Sequence, residues 1–421
     1  LGTVTTTSVS VPTPSVDTTY VLQVRATAVG SQSAWSASNA VTTIPAPPTA
    51  ITATAGAPGV IDLGWVPSLT GGVTYTIERS TDPAFTPAAT TVVASGLGAS
   101  TLSDTGLLFV TTYFYRVTAV NAHGTSEAAT TAVGATTNAG APSFVTATPS
   151  TLDPATVTVT WAAVQGATGY DIERAPAGSS TFTSVGTWTA GALSFTDASV
   201  SVDSVYVYQV RSSAGALVST WTMSGQVATI PAAPTNLHTL NVPGSTATTL
   251  VWTAPSSQTV PVTGYLVQRA TDAAFTSPVD LGTVSGTNYA DNPPSGATTY
   301  YYRVATLNVT GRSAFSAGLE ATSALLAPTS VTATASTSAP ASVTVVWAPV
   351  AGATGYEIVR SDGTVFTSGA LTWTTSAAGS ATTVTDPTAA ANTAYTYAVR
   401  GTASVSGVAL VSSYTAAAAV V

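Results

Sequence analysis

Two histidines and four carboxylates that recur at one repeat position are the residues of this chain whose types invite a search for chemistry. A nucleophile activated by imidazole needs that base within hydrogen-bond reach and a third group to orient it. His123 lies in Asn121-Ala-His-Gly124, read as a loop between strands, and His238 lies in a different repeat, in a first strand. Neither is accompanied by a Gly-x-Ser-x-Gly elbow, and neither has a second histidine close enough in sequence to suggest a metal pair. The chain has no cysteine, which removes thiolate metal sites, cysteine nucleophiles and disulfides. No catalytic, cofactor-binding or metal-binding residue is therefore assigned, and the chain is expected not to be an enzyme.

Paired carboxylates can act as acid and base without histidine. Asp104, Asp197, Asp291 and Asp386 stand in Leu-Ser-Asp, Phe-Thr-Asp, Tyr-Ala-Asp and Val-Thr-Asp, each just after a predicted fifth strand. An active site is rarely copied into every repeat, whereas Asp accepts backbone N–H bonds where a strand ends, so a turn role is expected. Asp82 and Asp272, in Thr-Asp-Pro-Ala-Phe and Thr-Asp-Ala-Ala-Phe, read as turn formers after the third strand. No Asp-x-Asp-x-Asp calcium loop is present.

The 10 basic residues are all arginine, against 18 acidic ones, for a net charge of −8. A nucleic-acid surface needs clustered cations to release counterions, and an anionic membrane attracts the same clusters. Here the arginines are spread through the chain on an acidic background, which argues against both partners. Arg79, Arg174, Arg269 and Arg360 end one predicted strand, while Arg25, Arg116, Arg211, Arg303 and Arg400 lie on or just after another. Cross-strand pairs of Glu78 with Arg116 and of Glu173 with Arg211 are expected, each contributing about 0.2–1 kcal/mol. Arg312 stands apart in Thr310-Gly-Arg-Ser-Ala314, with no Arg-Gly-Asp tripeptide. Asn308-Val-Thr310 is the single Asn-x-Ser/Thr sequon. Trp188, Trp373, Trp35, Trp221, Phe315 and Tyr414 could offer planar faces to sugars, but packing on a sheet is the expected role.

The elements that would position these groups announce themselves by repetition. Trp65, Trp161, Trp252 and Trp347 sit in similar strand-like contexts, 96, 91 and 95 residues apart. A tyrosine-led strand follows each: Tyr75-Thr-Ile-Glu-Arg79, Tyr170-Asp-Ile-Glu-Arg174, Tyr265-Leu-Val-Gln-Arg269 and Tyr356-Glu-Ile-Val-Arg360. Next come Tyr113-Phe-Tyr-Arg-Val117, Tyr206-Val-Tyr-Gln-Val210, Tyr300-Tyr-Tyr-Arg-Val304 and Tyr395-Thr-Tyr-Ala-Val399. Apolar and polar positions alternate with period two, as half-buried antiparallel strands require. Proline marks the edges of the repeats, at Pro45-Ala-Pro-Pro48, Pro142, Pro231-Ala-Ala-Pro234 and Pro328, where a missing donor is tolerated at the entrance of an edge strand. The content of 45% hydrophobic and only 7% charged residues, with 25 prolines and 34 glycines, suits several packed cores of short strands.

Cysteine-free repeats of this length, with a Trp on the second strand, Tyr-x-Ile/Val on the third and Tyr-x-Tyr-x-Val on the sixth, resemble fibronectin type III domains. The resemblance implies an all-β protein of tandem seven-stranded immunoglobulin-like β-sandwiches in an extended row, each a three-stranded sheet on a four-stranded one. It covers residues 46–139, 140–231, 232–327 and 328–421 as whole modules and 1–45 as a partial one, last strands only. A leucine is usual before the sixth strand in that family; Leu107 fits, and Ala297 departs from it.

The partial module lacks the Trp-bearing and Tyr-Ile-Glu-Arg strands, so Val21, Val24 and Trp35 are expected to need cover from polypeptide outside the chain. Upstream sequence is favoured over an adjoining subunit, because the final module has no spare strand to donate. Leu1 to Ser10 show no signal peptide, and no stretch reaches the roughly 20 apolar residues of a membrane span. The resemblance implies an extracellular or cell-surface structural or adhesive repeat protein, a semi-rigid stalk or filament component. The alternative is a non-catalytic linker or carbohydrate-binding accessory region of a secreted polysaccharide-degrading enzyme. Expected partners are copies of itself or neighbouring modules in a fibre, and surface glycans; no cofactor, nucleic acid or membrane insertion is expected.

Overall fold

The computed structural model describes residues 1–12, 14–131, 134–240 and 247–421. Two compact units divide the chain, the first made of Leu1–Ala147, Thr158–Thr196 and Tyr206–Gln226, the second of Thr148–Val157, Asp197–Val205 and Val227–Val421. The division runs through the second Trp-bearing repeat.

In the first unit, the strands Thr49–Ala55, Ile61–Val66 and Thr101–Asp104 form an antiparallel sheet with Ile61–Val66 in the middle. A second sheet runs Thr90–Leu97, Thr74–Ser80, Thr112–Asn121 and Gly124–Thr125, and the last edge continues through Ala129–Thr130 and Ala135–Thr136 along the same neighbour. Counting that broken edge as one strand gives seven. Alternation decides which side chains meet: Ile61, Leu63 and Trp65 from one sheet pack against Tyr75, Ile77, Tyr115 and Val117 from the other. The pairing of Ile77 with Val117 and of Glu78 with Arg116 shows why a period of two matters, since one pair faces the core and the next faces water. The second repeat supplies the same hairpin geometry to this unit, with Ile172 opposite Val210 and Tyr170 opposite Ser212.

The second unit holds two more sandwiches of this plan. One places Thr248–Thr253 between Thr235–Leu240 and Asn288–Asp291, and sets Val279–Val284, Val262–Ala270, Thr299–Asn308 and Arg312–Phe315 side by side, with Leu319–Thr322 continuing the edge. The other places Val343–Trp347 between Val331–Ala335 and Thr383–Asp386, beside a sheet of Leu371–Ala378, Gly355–Asp362, Tyr395–Val405 and Val408–Val411. Four Trp–Tyr contacts recur in the cores, at ring distances of 5.4, 5.5, 5.4 and 5.2 Å. The indole N–H groups of these four tryptophans find no acceptor among the described residues. The tryptophans are therefore held by packing and not by polar contact.

Residues 19–42 form a single hairpin, in which Thr19–Tyr20, Gln23–Val24 and Thr27–Ala28 pair with Val41–Thr42, Ser36–Ala37 and Ser31–Gln32. Its faces differ from the expectation. Gln23-Val24-Arg25 matches Gln209-Val210-Arg211, so Leu22 and Val24 occupy the core-side positions, and they line a cavity of about 400 Å³ with Leu1, Val4 and Val9. Trp35 lies instead on the outer face, where its ring sits 4.6 Å from the Arg25 guanidinium carbon. Val21 alternates with Leu22 and shares that outer side.

Candidate functional site

In three of the sandwiches, three strands converge on one buried ionic cluster. Arg79 is the penultimate residue of Thr74–Ser80, Asp104 ends Thr101–Asp104, and Tyr115 lies opposite Arg79 on Thr112–Asn121. The Arg79 Nη1 donates to both Asp104 oxygens at 3.0 and 2.9 Å, and the Tyr115 hydroxyl donates to Oδ2 at 2.9 Å. Arg269, Asp291 and Tyr302 repeat the cluster at 3.0, 2.7 and 2.8 Å. Arg360, Asp386 and Tyr397 do so again, at 2.6 and 2.8 Å. Each arginine also stacks over the first tyrosine of the sixth strand, Tyr113, Tyr300 or Tyr395, at 5.2, 5.1 and 4.4 Å. The turn role expected for these aspartates is thus only part of the picture. Asp386 does accept from the Thr388 amide and hydroxyl, but Asp104 and Asp291 spend their oxygens on Arg and Tyr.

In the Arg360–Asp386–Tyr397 cluster the electrostatics favour the ionised acid and the neutral phenol. Burial, with the Asp104 carboxylate beside it, pushes the Tyr115 phenol far above its ordinary range, and Tyr302 and Tyr397 are raised for the same reasons beside Asp291 and Asp386. For Asp386, burial favours the neutral acid. Hydrogen bonds from Thr388 and Tyr397 and the Arg360 charge outweigh it and hold the carboxyl below its ordinary value. The Asp386 carboxylate, held as an anion and already accepting from Arg360, Tyr397 and Thr388, is poorly suited to proton transfer.

The outer face carries a second set of cations. Arg116 Nε donates to Glu78 at 2.6 Å, as expected. Glu173 does not meet Arg211. It accepts from Gln209 Nε2 at 2.7 Å, and Arg211 pairs with Asp171 at 2.8 Å. The cause is register: Glu173 lies opposite Gln209, while the arginine sits two residues further along, opposite Asp171. Arg400 pairs with Glu357 at 2.6 Å, whereas Arg303 meets the neutral Gln268 at 2.8 Å.

Aromatic rings cover these cations. Asp82 and Asp272 accept the amides of Ala84 and Ala274 at 2.9 and 3.0 Å, closing the turns in which Phe85 and Phe275 take φ of 55° and 54°. That left-handed backbone is rare for a bulky residue. The turns deliver the two rings onto Arg116 and Arg303, at 4.8 and 4.3 Å. Trp221, Phe315 and Tyr414 take the equivalent place over Arg211, Arg303 and Arg400. With Arg25 on Trp35, Arg174 on Tyr206 and Arg312 on Phe315, all ten arginines lie over an aromatic ring. Planar, weakly hydrated guanidinium suits such stacking better than an ammonium group.

The remaining candidates are separated. His123 is exposed, and its own amide donates to Asn121 Oδ1; His238 is exposed, with Nδ1 2.8 Å from the Asn236 carbonyl. Trp188 packs on Phe195 at 4.2 Å, and Trp373 on Tyr397 at 6.2 Å. Asn308 of the sequon is buried, and its Nδ2 donates to the Thr229 carbonyl at 3.0 Å while Oδ1 accepts from Thr310 and Gly311.

One further bond completes the comparison with known folds. The Tyr113 hydroxyl accepts the Leu108 amide at 3.3 Å, and Tyr395 accepts that of Ala390 at the same distance, so the start of the sixth strand is tied back to its corner. The repeats have the fibronectin type III fold. No protein-family model matches the chain. Similar solved structures include the FN1-FN3 domains of chicken CNTN1, at 19% identity and TM-score 0.27 over 66% of this chain and 99% of that one. Another is a two fibronectin type III domain segment of chicken tenascin, at 16% identity and TM-score 0.33 over 43% and 99%. Among curated proteins, Exoglucanase B of Cellulomonas fimi is 31% identical over 246 residues, which is 53% of this chain and 21% of that protein. The chain therefore spans about a fifth of that relative's length. No helix among the described residues is long and apolar enough to cross a membrane.

Proposed function

We propose that the chain is a non-catalytic, semi-rigid spacer of an extracellular or surface protein, built from whole fibronectin type III modules at 46–139, 140–231, 232–327 and 328–421. The observation that carries this reading is a repeated joint. A corner residue with left-handed backbone, Val110, Asp203 or Ala297, meets a loop of the following repeat. Asp203 accepts the amides of Thr259 and Val260 at 3.0 and 3.1 Å. Gly166 lies against Val110, and at Gly352 a Cβ would collide with the Gly296 carbonyl. Asn308 and Thr310 add bonds to the carbonyls of Thr229 and Ala228. Saturated polar contacts of this kind resist bending where a free linker would not.

A second reading, that the spacer serves a secreted polysaccharide-degrading enzyme, is favoured by the likeness to part of Exoglucanase B. Small-angle scattering of the whole chain tests the spacer. A maximum dimension near that of modules laid end to end, shortened by Gly352→Val, is expected; a collapsed or freely jointed profile indifferent to that change would refute it. Turnover of polysaccharides or esters that is lost in His123→Ala or His238→Ala would refute the non-catalytic part.

A further inference from the structure

One outer-face arginine cluster differs from the others. Where Arg116, Arg211 and Arg400 each meet a carboxylate, Arg303 meets the amide of Gln268. A second arginine joins it: Arg312 and Arg303 lie over the same ring, Phe315, at 4.3 and 4.0 Å. Among the described residues neither makes an ion pair. Asp280 is engaged by Gln268 Nε2 at 2.6 Å, and Asp153 lines the same groove without contacting either guanidinium. Burial and the neighbouring Arg312 charge both lower the pKa of Arg303, against a smaller opposing effect of Asp280. Two cations held together without a contacting anion leave an electrostatic deficit.

The groove is also built to hold Arg312 still. Its amide donates to the Thr151 carbonyl at 2.9 Å, and at Gly311 a Cβ would collide with that carbonyl. The Asn308 side chain fixes the preceding turn. Preorganised donors lose little entropy when a ligand arrives. The groove, about 490 Å³, is also lined by the Phe275 and Phe315 rings and by small residues including Ala273, Ala314 and Gly318, which leave room beside the two cations.

We propose that Arg303 and Arg312 form a binding site for the carboxylate of an acidic sugar in an oligosaccharide. The two guanidinium groups take the carboxylate, and the open floor beside Phe275 and Phe315 takes the ring. This site stands independently of the spacer reading, because it rests on one repeat and not on the joints.

Isothermal titration of the whole chain with trigalacturonate, cellotriose and sodium sulfate tests it. The acidic sugar should bind, more weakly as salt rises, and both the neutral sugar and sulfate should bind at least about tenfold less well, a difference of about 1.4 kcal/mol. Arg312→Gln should lose at least about tenfold. Gln268→Glu supplies the partner that Glu78 gives Arg116 and should weaken binding similarly; because it also loses the bond to Asp280, its thermal midpoint should fall while the variant stays folded. Absence of trigalacturonate binding, equal binding of cellotriose or sulfate, or affinity unchanged in both folded variants would overturn the assignment.

Discussion

Arg360 and Asp386 form the most enclosed ion pair described in the chain, 2.6 Å apart with side-chain exposures of 9% and 0%. The corresponding Arg79–Asp104 pair is 2.9 Å long, and its arginine is 24% exposed. Removing one partner of a buried pair strands the other, at about 3–5 kcal/mol. Asp386→Asn should fall in that range and Asp104→Asn near or below its lower end, because water can still reach Arg79. Urea denaturation of the two variants, followed by tyrosine and tryptophan fluorescence, checks the order.

The same clusters set the limits of pH. Asp386 has a folded pKa below its ordinary value, so its contribution is present above about pH 4 and is lost as the pH falls below that. The phenols of Tyr115, Tyr302 and Tyr397 are raised, so the folded state keeps protons that an unfolded phenol releases near pH 10. Their contribution is present below about pH 10 and is lost above it. Thermal midpoints should therefore form a plateau from about pH 5 to 9, with Asp386→Asn flattening the acid side and Tyr397→Phe the alkaline side.

The cores around Trp65, Trp252 and Trp347 are separate clusters, so damage should stay local. Trp347 is 3% exposed and packs on Tyr356 within a cluster that includes Val345 and Tyr397. Trp347→Ala should remove about 3–5 kcal/mol from that sandwich and leave the core around Trp65 and Tyr75 intact. Calorimetry should then show one early transition beside unshifted ones; a single cooperative loss of the whole chain would contradict it.

Asn308 makes a different kind of test, since its amide nitrogen is the atom a glycosyl group would occupy. It is spent on Thr229. The sequon should remain unmodified after folding in a glycosylating host, as mass spectrometry would read. Asn308→Ala should destabilise by about 1–3 kcal/mol, through the carbonyl and the two loop amides it leaves unpaired.

The repeats and strands were legible because a period of two and a Trp–Tyr core are local patterns. The ionic clusters were not, since Arg79, Asp104 and Tyr115 lie on three different strands and each has an ordinary explanation alone. A signal did exist: the Asp precedes its Tyr by 11 residues in all three clusters. The Arg211 partner was missed for a narrower reason. Glu173 occupies the repeat position of Glu78, but Arg211 does not occupy that of Arg116, and only the strand register reveals it. The role of Phe85 and Phe275 was hidden as well, because a turn motif does not say where its last ring is aimed.

The stacking of every arginine carries a consequence for survival among proteases. Trypsin cuts after lysine and arginine, and this chain offers it no lysine. Nine of its ten arginines lie within strands, and Arg25 follows one directly. At those nine, cleavage would require a strand to leave its sheet and a guanidinium to leave its ring, so it should proceed only through opened forms. The whole modules would pass intact through a trypsin-like milieu for as long as their sandwiches stay closed.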